Sequence, residues 1–208
     1  MTRLTRKGTG PLALAGRMKP YLWIALVLFL SGAVFGDVEG TRVQALIAPL
    51  IGHLRHEATL LRHQPVWRVA LDIFVNNVEV SMLMLFGGLL FGIAPVLAVM
   101  ANGVLVGYVI RLATTKTHLS AVVVIAAGIL PHGLFEIPAY LLATALGMRL
   151  GWLVVRSLLG KAKGPAWRSA VRDIAPTVAW VVGLLFVAAW IESGVTPDLL
   201  HAAVVSHL

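Results

Sequence analysis

The segment "LPHGLFEIPAY", residues 130–140, places a histidine, a glutamate and two prolines close together inside an apolar stretch. That stretch extends from Leu119 to Gly147 and contains no other acidic or basic side chain. A transmembrane helix needs roughly 20 mostly apolar residues, so the stretch is long enough to cross a bilayer. An explanation is therefore needed for the polar side chains within it.

The composition supports a membrane location. The chain has 208 residues, of which 59% are hydrophobic and 12% charged, whereas soluble domains contain about 25% charged residues. We expect one integral membrane domain over residues 1–208, with the lipid bilayer as its first partner. The sequence contains no cysteine, which excludes disulfides and thiolate metal ligands.

The predicted fold class is all-α, a polytopic transmembrane helical bundle. Apolar stretches predict five spans, at residues 20–36, 74–92, 94–111, 119–147 and 174–191. Gly92 and Pro95 in "FGIAPVL" predict a tight hairpin between spans two and three. Pro131 and Pro138 predict a kink in span four, because proline removes a helical hydrogen bond.

The distribution of basic residues predicts the orientation. Basic side chains are concentrated in residues 1–19 and 149–173, which we assign to the cytoplasm by the positive-inside rule. Segment 37–72 has equal numbers of arginines and acids, and tail 192–208 has only two acids, so both are assigned to the outside. The prediction is a multi-pass protein of the cell membrane with a cytoplasmic N-terminus and an extracytoplasmic C-terminus. Because the basic residues serve topology, no nucleic-acid partner is expected.

Small residues recur at four-residue spacing in spans two to four, where they allow helix backbones to approach closely. They predict tight packing among these three spans, and the alternative of a self-association face leaves a homo-oligomer open. The predicted packing residues are Gly88, Gly92, Gly103, Gly107, Ala139, Ala143, Gly147 and Gly151.

A small set of polar residues falls within the predicted spans. An acid at the centre of a helix costs roughly 2.5–3.5 kcal/mol on insertion scales, so such groups should face protein or water. His132 and Glu136 are four residues apart and share one helix face. We favour interhelical ties as their role, with an ion or proton site as the alternative. The predicted intramembrane polar cluster is Asn76, Asn77, Glu79, Asn102, His132 and Glu136.

The sequence predicts neither catalysis nor a cofactor. No metal site is expected, because His132 and Glu136 supply two ligands where catalytic zinc usually takes three from the protein. There is no HExxH motif, no phosphate-binding glycine loop and no serine beside a plausible base. We therefore expect the protein not to be an enzyme and assign no catalytic residues.

Three stretches together carry a family resemblance. "FVNNVEVSMLMLFGGLLFG", "ANGVLVGYVI" and "ILPHGLFEIPAYLLATALGMRLG" resemble the stage II sporulation protein M family of integral membrane proteins. The shared pattern is an asparagine-led span, a glycine-rich turn, an Asn-Gly pair, and a histidine followed four residues later by glutamate. It covers residues 74–151, the core family region. The matching positions are Asn76 or Asn77, Asn102, Gly103, His132 and Glu136.

The resemblance implies a role in endospore formation, since the family's namesake is a polytopic anchor for cell-wall hydrolases. On this basis the chain is expected to be a non-catalytic scaffold that anchors or recruits peptidoglycan-remodelling enzymes. Its implied partners are extracytoplasmic peptidoglycan hydrolases. The alternative left open is a permease-like protein that moves an ion or small solute through its intramembrane Asn, His and Glu residues.

Overall fold

The structure is a computed structural model that describes residues 10–40, 42–45 and 64–206. Every regular element among these residues is helical, which confirms the all-α fold class. Residues 40 and 42–45 are also helical. The main helices are α1 (Pro11–Val38), α2 (Val66–Phe86), α3 (Ile93–Thr117), α4 (Leu130–Leu158), α5 (Gly164–Gly194) and α6 (Thr196–Val205).

The five-span prediction is confirmed. Within the described residues, five helical stretches are long and apolar enough to cross a membrane: Leu12–Val38, Val66–Leu89, Ile93–Thr117, Ala121–Leu158 and Gly164–Val205. The last two, of 38 and 42 residues, exceed the roughly 20 residues that one crossing needs. Helix therefore continues into the polar residues that the sequence-based bounds left outside.

The connection between α2 and α3 is short. A 3₁₀ turn at Gly87–Leu89 leads into Phe91 and Gly92, which both have positive φ angles, of 58° and 78°. Glycine adopts this left-handed conformation without the steric cost that other residues bear. Pro95 lies in the first turn of α3, where the missing backbone N–H does no harm.

The fourth span begins irregularly. Ser120 caps a four-residue helix, Ala121–Val124, and a π-helical turn follows at Ile125–Ile129. Pro131 then lies near the start of α4, and α4 continues without interruption through Pro138. The departure from α-helical geometry in this span therefore precedes Pro131.

Glycines bring α1 and α3 into direct backbone contact. A Cβ atom added at Gly107 would overlap the carbonyl oxygen of Ala33, and one at Gly36 would overlap that of Val104. Gly32 and Gly103 lie at the same interface and leave equally little space. The third span thus contacts the first far more extensively than it contacts the second. Gly32 and Gly36 in "SGAVFG" have the same four-residue spacing as the glycines of the later spans, although they were not among the predicted packing residues.

A second glycine contact joins the end of α2 to α4. A Cβ at Gly88 would overlap the backbone of Gly147, and one at Gly151 would overlap the backbone nitrogen of Gly92. Next to this contact is the apolar core between α1, α2, α4 and α5. Its fully buried members include Leu14, Met18, Met84, Ala139, Ala143, Leu146 and Leu185.

Candidate functional site

Polar side chains gather at two places, towards opposite ends of α4. We name them the ion-pair cluster (Arg17, Arg149 and Asp173) and the His–Glu cluster (His132, Glu136 and Glu192). At 1.5 Å per residue, His132 and Arg149 are about 25 Å apart along the helix. The two clusters are therefore separated by most of the thickness of a bilayer's hydrocarbon core.

The ion-pair cluster is fully connected. The Asp173 carboxylate accepts hydrogen bonds from Arg17 Nε at 3.1 Å, Arg17 Nη2 at 2.7 Å and Arg149 Nη1 at 2.7 Å. The second Arg149 nitrogen donates to Ser169 Oγ at 3.0 Å. Only 7% of the Asp173 side chain is exposed. Charge-assisted bonds of this kind join α1, α4 and α5 at one end of the bundle.

The His–Glu cluster is built from α4 and the end of α5. His132 Nε2 lies 4.0 Å from Glu136 Oε2, and both side chains are largely buried. One ligand atom from each of His132, Glu136 and Glu192 lies within 4.8 Å of the others. The buried Tyr140 is one turn further along α4, on the same helix face as Glu136.

The hydrogen bonds of Thr196 fix the orientation of the imidazole. His132 Nδ1 is 3.2 Å from Thr196 Oγ1, and the Thr196 hydroxyl donates to the carbonyl oxygen of Ile191 at 3.3 Å. When the Thr196 hydroxyl donates to Ile191, it can only accept from His132, which is the arrangement of the tautomer that carries its proton on Nδ1. Its Nε2 atom is then left with a free lone pair on the side of the glutamates.

No lysine or arginine in the described part of the chain balances the charges of the His–Glu cluster. Among the described residues, no lysine or arginine pairs with Glu136 or Glu192, and the charged neighbour of Glu192 is Glu136 itself. Two carboxylates and an imidazole in this arrangement can bind a proton or coordinate a cation. The ion-pair cluster has no such free capacity, since two guanidinium groups already occupy Asp173.

The structure does not unite the six polar residues predicted from the sequence. Asn77 is buried on α2 and accepts a hydrogen bond from exposed Asn76 at 3.3 Å. Asn102 donates to the Ala98 carbonyl of its own helix at 2.9 Å, while Glu79 is exposed. None of these bonds reaches His132 or Glu136, which are the two members that the fold brings together.

Sequence reasoning missed Glu192 and Thr196 because it ended the last span at residue 191. Helix α5 continues to Gly194, so Glu192 is presented to α4 instead of belonging to an outer tail. A usable signal was the lone acid that directly follows an apolar stretch. Half-exposed Trp190, two residues earlier, is a residue type typical of the membrane–water interface.

These observations define a multi-pass helical membrane protein with two polar clusters. The charges of the ion-pair cluster are paired with one another, whereas the carboxylates of the His–Glu cluster have no described lysine or arginine as a partner. The model of the stage II sporulation protein M family matches residues 25–197, and the chain belongs to this family. An uncharacterized protein of Methanocaldococcus jannaschii is 29% identical over 184 residues, which is 88% of this chain and 97% of that protein. No solved structure matches the chain. The family match includes the whole His–Glu cluster but begins after Arg17.

Proposed function

We propose that this chain is a non-catalytic scaffold of the cell membrane that anchors or recruits enzymes remodelling the peptidoglycan wall. The support from comparison is membership of the stage II sporulation protein M family, whose namesake has this role in sporulation. The support from the structure is the kind of helix packing that holds the bundle together.

Backbone contact between α1 and α3 is the observation that carries the proposal. Phe29 and Ala33 carbonyls fit against glycines of α3, where a single added carbon would not fit. Helices packed this closely can slide or separate only by giving up contacts along the whole interface. A fixed frame of this kind suits a protein that holds a partner in place.

The proposed orientation has the ion-pair cluster towards the cytoplasm. The exposed Lys161 and Lys163 lie just before α5, and the exposed Arg168 and Arg172 lie in its first turns, with Arg172 directly before Asp173 in sequence. The connection from α1 to α2, the His–Glu cluster and α6 then lie towards the outside. Reporter fusions placed after Lys163 and at the C-terminus should report opposite compartments, and a shared compartment would contradict this topology.

Partner docking is proposed for the outer face. Most of segment 37–72, including the apolar Leu50 and Leu54, lies outside the described residues. Helix α6 offers a described surface there: Leu200 contacts the π-helical turn at Gly128, while Leu199 and Val205 are exposed. Exposed apolar side chains that are surrounded by polar residues are typical of docking surfaces.

Co-purification tests the scaffold proposal. Full-length tagged protein, extracted in mild detergent, should bring down an extracytoplasmic enzyme that cleaves peptidoglycan, identified by mass spectrometry and by its activity. Leu199→Ser should weaken this capture, whereas the control Leu158→Ser, which changes an exposed leucine at the opposite end of the bundle, should not. If purified protein instead moves protons or a solute across liposomes and Glu136→Gln abolishes that flux, a permease function replaces the scaffold.

A further inference from the structure

We propose that the His–Glu cluster binds a divalent first-row transition-metal ion, with Zn²⁺ as the reference ion, through His132 Nε2 and one carboxylate oxygen each from Glu136 and Glu192. The proposal does not depend on the scaffold function. Glu192 supplies a third protein ligand beside His132 and Glu136, the two that were predicted from the sequence.

The ligand set suits such an ion. Zinc accepts imidazole nitrogen and carboxylate oxygen, and three protein ligands with an open fourth position form a common zinc site. Calcium, by contrast, takes six to eight oxygen ligands, and magnesium keeps most of its water. A mixed nitrogen and oxygen set therefore favours the transition metals.

The spacing of the ligand atoms also fits. Around an ion with bonds of about 2.1 Å, tetrahedral ligands are roughly 3.4 Å apart. The three ligand atoms already lie within 4.8 Å of one another, so small side-chain rotations close the site. Helix α4 supplies His132 and Glu136 one turn apart, and α5 supplies Glu192 from a different helix.

The histidine is prepared for coordination by Thr196. Metal-binding histidines almost always donate their second ring N–H to a neighbouring oxygen, which fixes the tautomer and the ring orientation. His132 has such an oxygen beside Nδ1, since Thr196 Oγ1 lies 3.2 Å away and can accept from Nδ1–H. In that tautomer the Nε2 lone pair is free, and Nε2 lies 4.0 Å from Glu136 Oε2.

Charge supplies the driving force. Two carboxylates are held together in partly buried positions, where unpaired charge is costly, and the described residues provide no lysine or arginine to neutralise them. With His132 neutral, the cluster carries a charge of −2 when both acids are ionised, and a divalent ion cancels it. The bound ion would link α4 to the end of α5 and, through Thr196, to the start of α6.

Equilibrium dialysis tests the site. Full-length protein without a histidine tag is stripped with a chelator, dialysed against micromolar Zn²⁺ in detergent, and its metal content measured. The absence of cysteine removes adventitious thiolate binding. We expect one tightly held ion per chain, which excess Mg²⁺ does not displace. Failure of the wild-type protein to retain zinc would overturn the proposal.

Variants locate the ion. Glu136→Gln and Glu192→Gln keep side-chain shape and should each weaken binding about ten-fold or more, and Thr196→Val should weaken it by a similar factor without removing a ligand. The controls Glu79→Gln and His201→Ala change exposed residues of the same types and should bind as the wild type does. Unchanged affinity in Glu192→Gln would contradict the site.

A spectroscopic measurement covers the case in which a variant does not fold. Co²⁺ bound to the wild-type protein in place of zinc should give visible d–d absorption bands typical of low-coordinate nitrogen and oxygen ligation, and added Zn²⁺ should remove them at one equivalent. A cobalt spectrum identical to that of the hydrated ion would overturn the proposal without any variant.

Discussion

At Arg149, α4 meets a carboxylate that two guanidinium groups hold at 2.7 Å. Near its other end, at His132, the same helix meets two carboxylates that no described lysine or arginine neutralises. Both places hold buried or half-buried charge in a molecule otherwise built from apolar helices. The carboxylate of the first is paired with two arginines of the chain, whereas the carboxylates of the second have no lysine or arginine partner among the described residues and can take up a proton or a cation.

This difference separates structural polar residues from functional ones better than residue type does. Buried charges that are completely paired stabilise the fold or fix its geometry. Buried charges left unpaired are retained at a cost, and in membranes they mark sites of binding or relay. The ion-pair cluster therefore serves as a structural tie between α1, α4 and α5, and the His–Glu cluster is the candidate site.

The largest effect is expected at the ion-pair cluster. Asp173→Asn removes the carboxylate that accepts from both Arg17 and Arg149 and leaves their largely buried positive charges side by side, which should lower the free energy of unfolding by about 3–5 kcal/mol. Denaturant or thermal unfolding in detergent, with folded yield from size exclusion, measures this loss.

Asp198 on α6 provides the matched control. It is exposed, so Asp198→Asn should change stability by less than about 0.5 kcal/mol. Equal loss in the two variants would show that Asp173 has no special place in the fold.

The second-largest effect is expected at the close glycine contact between α1 and α3. Gly107→Ala places a carbon against the Ala33 carbonyl and should destabilise by about 1–3 kcal/mol, as overpacking does. Gly183→Ala is the control, because nothing lies within 4 Å of a Cβ added there. The same unfolding assay should show Gly183→Ala equal to or more stable than the wild type, and a destabilised Gly183→Ala would weaken the packing argument.

The smallest effect on the free energy of unfolding is expected for Glu192→Gln, and its sign should be opposite to that of Asp173→Asn. In the presence of a chelator, Glu192→Gln removes one of two neighbouring like charges. The two carboxylates lie on different helices and repel each other when both are ionised, so the unfolding free energy should stay constant or rise slightly. Added Zn²⁺ should then stabilise the wild type but not this variant. A large loss of stability in chelator would place Glu192 in a structural role like that of Asp173.

The sequence predicted the helical membrane fold and two of the three residues of the His–Glu cluster. Long apolar stretches determine which residues can cross a bilayer, so five spans could be recognised without tertiary information. His132 and Glu136 could be paired because they share one helix face. Glu192 could not be joined to them, since that contact depends on how α5 packs on α4. The contact of Gly36 with α3 likewise could not be predicted, although the four-residue spacing between Gly32 and Gly36 can be read from the sequence.

A disulfide lock tests most directly whether the protein works as a fixed frame. A Cβ added at Gly40 lies 3.7 Å from the Cβ of Arg111, within the roughly 3.5–4.5 Å that disulfides need, and the native sequence has no cysteine to interfere. The variant with Gly40→Cys and Arg111→Cys should therefore cross-link the helical extension of α1 to α3. The measurement is the amount of cell-wall enzyme that co-purifies with the locked protein, with and without reductant. The scaffold account predicts the same amount in both states, whereas capture that is lost on locking and restored by reductant would contradict it.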